Sequence, residues 1–109
     1  MFSIDALNNI KLTRKDTLDL YVKTYHEDGT EHQLVEGDRM IFRMGAGANI
    51  EKELVIDFVN NVAILHLDSN DTKDLMFTTY KYEIEFLGVN GQVNTVVENK
   101  NFTIGIEQG

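Results

Sequence analysis

A chain of 109 residues with 42% hydrophobic and 26% charged content is sized for one folded domain, residues 1–109, and is too apolar for a disordered segment. Cysteine is absent, which excludes a disulfide scaffold, thiolate nucleophiles and thiolate metal ligands. The net charge of −8 opposes contact with a polyphosphate backbone, so nucleic acid is not an expected partner.

The first residues, Met1-Phe2-Ser3-Ile4-Asp5, lack the basic and apolar regions of a signal peptide, and no run approaches the ~18 apolar residues of a membrane helix. Neither export nor a membrane partner is expected. Period-two alternation then dominates. Leu18, Leu20 and Val22 share one face of a strand running from Thr17 to Tyr25. Asp28-Gly29 supplies the positive φ angles of a two-residue hairpin turn, with residues 31–35 returning as the partner. After Glu36-Gly37-Asp38, a second strand turns Met40, Phe42 and Met44 inward and Arg39 and Arg43 outward.

Gly45-Ala46-Gly47-Ala48-Asn49 reads as a loop, and Leu54, Ile56 and Phe58 alternate with Val55, Asp57 and Val59 up to a turn at Asn60-Asn61. Val62–Leu67 pairs back as a hairpin. Asp68–Leu75 lacks strand character and suits one helical turn capped by Ser69 or Asn70. Tyr80, Tyr82, Ile84 and Phe86 then form a strong inward face, Asn90-Gly91 a hairpin turn, and residues 93–97 and 102–106 two closing strands. Eight or nine short strands with turns every 8 to 12 residues predict an all-β fold, an Ig-like antiparallel β-sandwich.

Catalytic chemistry finds few footholds. A metal site at His26 and His32 requires both rings on one face of the hairpin. A two-residue turn, which the turn chemistry favours, pairs His26 with Glu31 and puts them on opposite faces, whereas a bulged turn would shift the register by one and bring them together. His66 alternates with Leu65 and Leu67 and is expected on the surface. Asp68–Asp74 resembles the opening of a calcium loop, but Lys73 stands at the sharp-turn glycine and Thr79 at the bidentate glutamate. The loop at 45–49 lacks the lysine and helix onset of a phosphate cradle. Ser3 and Ser69 sit in no nucleophile pattern, and Glu83 and Glu85 fit the wet face of a strand. No enzymatic activity, cofactor, catalytic residue or metal ligand is expected.

Leu12-Thr13-Arg14-Lys15-Asp16-Thr17-Leu18 leading into an alternating strand, the Asp28-Gly29 hairpin, Leu34, and Met40-Ile41-Phe42-Arg43 follow in an order that continues with Tyr80–Phe86, Asn90-Gly91 and Phe102-Thr103-Ile104. This order, from about residue 8 to residue 107, resembles the N-terminal domain of phage baseplate upper proteins and related Ig-like domains of phage minor structural proteins. Lys15 stands where that family often has glycine, and Phe77-Thr78 where it often has Pro-Gly. The resemblance implies a structural protein of a bacteriophage or prophage tail. It would assemble in the bacterial cytoplasm, act in the virion as a homo-oligomer with other tail or baseplate proteins, and anchor receptor-binding components. Tyr80 resembles the tyrosine-corner position of Ig-like sandwiches, where a hydroxyl ties a strand to its neighbouring loop; a plain core aromatic is the other reading. The alternative is a stand-alone binding module for carbohydrate or a surface protein, presenting Tyr21 and Tyr25.

Overall fold

Alternating side chains give each strand one apolar face, and the computed structural model, which describes residues 2–4, 8–26, 28–45, 49–91 and 93–105, turns those faces toward each other. The described residues form β1 (Phe2–Ile4), β2 (Ile10–Thr13), β3 (Leu18–Val22), β4 (Arg39–Met44), β5 (Ile50–Glu53), β6 (Val55–Asp57), β7 (Val62–Leu67), the helical turn α1 (Ser69–Thr72), β8 (Thr79–Leu87) and β9 (Val93–Gly105). The strands make a six-stranded sheet ordered β1-β2-β9-β8-β4-β5 and a three-stranded sheet ordered β3-β7-β6. The protein is an all-β sandwich.

The chain passes between the two sheets at both sides of the small one. β2 belongs to the large sheet and β3 to the small one, while β5 and β6 are separated by Leu54 alone. Leu54 is buried, and its amide donates to the Met40 carbonyl at 2.9 Å, so the chain turns the corner without losing a hydrogen bond. Such sheet-switching corners fold the layers over a shared core. That core takes Ile10, Leu12, Met40, Phe42, Met44, Tyr80, Tyr82, Ile84, Phe86, Phe102 and Ile104 from the large sheet. Leu18, Val22, Ala63, Leu65 and Leu67 oppose them from the small sheet. The rings of Phe42, Tyr82 and Phe102 meet at centroid separations of 5.6, 5.9 and 6.1 Å.

Several elements differ from the sequence expectation. β2 pairs with β9 in parallel, Ile10 opposite Phe102 and Leu12 opposite Ile104, whereas the other strand pairs described are antiparallel. A parallel pair needs a long crossover, and here nearly the whole chain between its two ends provides it. The closing strands expected at 93–97 and 102–106 are one strand, β9, reaching Gly105. β8 runs alongside it and pairs with it on both sides of its polar middle. Register shifts flanking Ile84 absorb the mismatch: from Tyr82↔Lys100 to Ile84↔Val97, β9 advances three residues for two of β8.

The strand expected over 17–25 ends at Val22, and its partner at 31–35 is reduced to one bridge, Tyr25 to Glu31. Side chains replace the missing ladder. Asn61 Oδ1 accepts from the Leu34 amide at 2.7 Å, and its Nδ2 donates to the His32 carbonyl at 2.9 Å. Asn61 holds φ at +54°, which asparagine tolerates better than most residues. The strand expected to reach Val59 stops at Asp57, whose carboxylate accepts from the Val59 and Asn60 amides, so Phe58 swings out into the turn. The cap of α1 is Asp68, not Ser69 or Asn70, since Asp68 accepts from the Asn70 amide while Asp71 accepts from the Asp68 amide.

Two tyrosine hydroxyls and one threonine tie loops to the sandwich. Tyr80 accepts from the Met76 amide at 3.1 Å, the strand-to-loop tie expected of it, and Tyr82 donates to the Asn8 carbonyl. Thr72, fully buried, accepts from the Lys15 amide at 3.0 Å. Lys15 has φ +73°, a left-handed conformation that glycine adopts more readily.

Asp38 makes the most bonds of these ties. Its side chain is 2% exposed and accepts from the Val35 amide and the Val89 amide, each at 3.0 Å, with His32 Nε2 at 3.3 Å. Burial pushes the carboxyl up, but the two amides and His32 outweigh it and hold it below the ordinary value of 3.8. The stabilisation is therefore complete above that value and is lost as pH falls through the lowered one. Next to it, Gly37 has φ +99°, and an added Cβ would stand 2.6 Å from Val89 Cγ2. Gly37→Ala should lower stability by about 1–2 kcal/mol in urea unfolding, from the left-handed strain together with displacement of Val89. An unchanged midpoint would show that this contact does not matter.

Candidate interaction face and histidine clusters

The hairpin after β3 does not have the expected register. Tyr25 opposes Glu31, the His26 amide donates to the Thr30 carbonyl at 2.7 Å, and the His32 amide donates to the Thr24 carbonyl at 2.8 Å. The pairing is therefore displaced by one residue from that of a two-residue turn. The cause is local: Asp28 Oδ1 accepts from both the Thr30 amide (2.9 Å) and the Thr30 hydroxyl (2.6 Å), and Gly29 takes φ +89°. This shift by one residue places His26 and His32 on the same face. Their ring centroids are 5.1 Å apart with planes at 79°. His32 also meets the Phe86 ring at 5.2 Å, which seats it against the core, while His26 is exposed.

The outer face of the small sheet carries a different arrangement. Tyr21, Ile64 and Val55 stand opposite one another on β3, β7 and β6, an apolar row across the full width of the sheet. Tyr21 is 66% and Val55 68% exposed, and Ile64 between them is half-buried. Beside the row, His66 Nδ1 lies 2.6 Å from Asp19 Oδ1, a cross-strand pair on the solvent side, where His66 was expected. Tyr25 is exposed as well.

The large sheet's outer face is covered by paired charges. Arg39 grips Glu53 through two nitrogens, at 2.7 and 3.3 Å, and Arg43 reaches Glu51 at 3.0 Å and Glu85 at 3.2 Å. Ile41 lies beneath them, buried although it faces outward. An open groove of about 600 Å³ at the end of this face includes Arg43, Glu51, Lys81 and Glu83. Arg43 is already engaged by two carboxylates there, so it offers an anion little.

The remaining sequence candidates are not brought together. Among the described residues no group of three or more His, Asp or Glu converges on a point that could hold a metal ion. In Asp68–Asp74, Asp68 and Asp71 serve the cap of α1, and Asp71 also binds Lys52 at 2.8 Å, which turns the carboxylates away from a calcium shell. Ser3 falls on β1 and Ser69 in α1. Gly45 and Asn49 lie outside the strands, and residues 46–48 lie outside the described residues. Asp38 and Asn61 were not anticipated as anchors; Asp38 follows Gly37 at a turn, a position where a short carboxylate often binds nearby amides.

No family model, curated protein or solved structure was found to match this chain.

Asp19 raises the affinity of His66 for its proton above the ordinary value of 6.5, chiefly through their hydrogen bond. Whatever this pair contributes is present below pH 6.5 and is lost as pH rises through the raised value. An NMR titration of the His66 ring should give a midpoint above 6.5 that falls toward 6.5 in Asp19→Asn. Coincident midpoints would show that the pair does not persist in solution.

Proposed function

We propose that the protein is a non-catalytic structural component of a bacteriophage or prophage tail or baseplate, anchoring or linking receptor-binding parts. The order of motifs from about residue 8 to residue 107 supports the phage setting. The observation that carries a binding role is the row Tyr21, Ile64 and Val55, because apolar side chains aligned on a solvent face mark a surface used by another molecule. An aromatic ring with a polar tip in that row suits a protein interface. Symmetric assembly in the tail would repeat the face around an axis.

A second reading rests on two exposed tyrosines, Tyr21 at 66% and Tyr25 at 61%, which would suit a module stacking against sugar rings. Its discriminating variant is Tyr25→Ala, since Tyr25 lies outside the apolar row.

Proteomics of tail particles purified after induction of the host tests the first reading. The chain should be present in the particles. Tyr21→Asp combined with Val55→Asp should reduce incorporation at least tenfold while changing stability by no more than about 0.5 kcal/mol per site. Absence of the chain from particles would overturn the phage setting, and undiminished incorporation of the double variant would overturn the assigned face. Glycan binding abolished by Tyr25→Ala would favour the second reading.

A further inference from the structure

We propose that His26 and His32 together bind one borderline divalent cation, of the class of Zn²⁺, Ni²⁺ or Cu²⁺, at the tip of the hairpin that follows β3. The proposal rests on the register of this hairpin and is independent of the function assigned to the small sheet.

Three observations support it. First, the register set by the Tyr25–Glu31 bridge places both imidazoles on one face with centroids 5.1 Å apart. Two imidazoles on one tetrahedral ion, each nitrogen at ~2.1 Å, have centroids roughly 5 Å apart. Second, His32 Nε2 lies 3.3 Å from Asp38 Oδ2. In the tautomer that donates from Nε2 to this carboxylate, Nδ1 carries the lone pair that a metal ion would take. A carboxylate behind a ligating histidine fixes its tautomer and orientation and raises its basicity. Third, that carboxylate is itself immobilised, 2% exposed and bound by the Val35 and Val89 amides, so the second shell is in place before any ion arrives.

With two protein ligands, solvent completes the coordination. Imidazole selects Zn²⁺, Ni²⁺ and Cu²⁺ over hard cations such as Mg²⁺, which prefer oxygen. Ligation would join the His26 and His32 arms of a hairpin held by one β-bridge and by side chains.

Isothermal titration of the untagged full chain with Zn²⁺ and, separately, Mg²⁺ tests the proposal. One Zn²⁺ per chain should bind saturably, with no matching Mg²⁺ isotherm. His26→Ala, a change on the exposed side of the pair, should weaken Zn²⁺ binding at least tenfold while leaving the metal-free unfolding curve unchanged. Asp38→Asn should weaken it about tenfold through the second shell. If Asp38→Asn fails to fold, the ring signals of His26 and His32 in the wild-type NMR spectrum should both shift on adding Zn²⁺, with His66 unaffected. No saturable binding, binding undiminished in His26→Ala, or shifts confined to His66 would overturn the site.

Discussion

The carboxylate of Asp38 is the constraint on which the loop end of the sandwich depends. A buried carboxylate must find hydrogen-bond donors, and this one finds the Val35 amide, the Val89 amide and the His32 ring, from three separate segments. By satisfying itself it fixes where the turn at Gly37, the turn between β8 and β9 and the return arm of the 24–32 hairpin lie relative to each other. Removing the carboxylate would take the shared acceptor from two part-buried amides and free the segments it joins.

The same logic recurs because the chain has no disulfide to close its loops. Asn61 substitutes for a strand partner along residues 32–34, Tyr80 and Tyr82 tie loops to β8, and Thr72 holds the turn at Lys15. Strand-to-strand ladders build the two sheets, and side chain to backbone bonds position what joins them. The division has a functional side. The outer face of the small sheet rests on rigid strands and presents its apolar row in fixed register, whereas the histidine pair sits on a hairpin whose geometry is set by side chains.

Sequence patterning revealed the all-β class and the inward faces of β3, β4, β7 and β8, since burial of Leu18, Met40, Phe42, Leu65, Tyr80, Tyr82 and Ile84 follows directly from period-two alternation. It did not reveal β1, β2 or β5, which are short runs of three or four residues with too little alternation to read. It split β9, because Glu98 to Asn101 is polar enough to pass for a turn when the neighbouring β8 is out of view. Exposure of His66 was legible from Leu65 and Leu67. For His26 and His32 both registers were legible but the wrong one was favoured, since the choice turns on one residue decided by Asp28 binding Thr30, a local contact that competes with the two-residue turn favoured by Asp-Gly.

Amide hydrogen exchange at Leu34, Val35 and Val89 tests most directly whether side chains hold this end of the fold as strands hold the rest. All three amides lie outside the strands, and each donates to a side-chain oxygen, Leu34 to Asn61 and the others to Asp38. The account predicts protection approaching that of core strand amides such as Phe42 and Ile84. Exchange as fast as in an exposed loop would contradict it, and would mean that the sandwich holds its connections by other means.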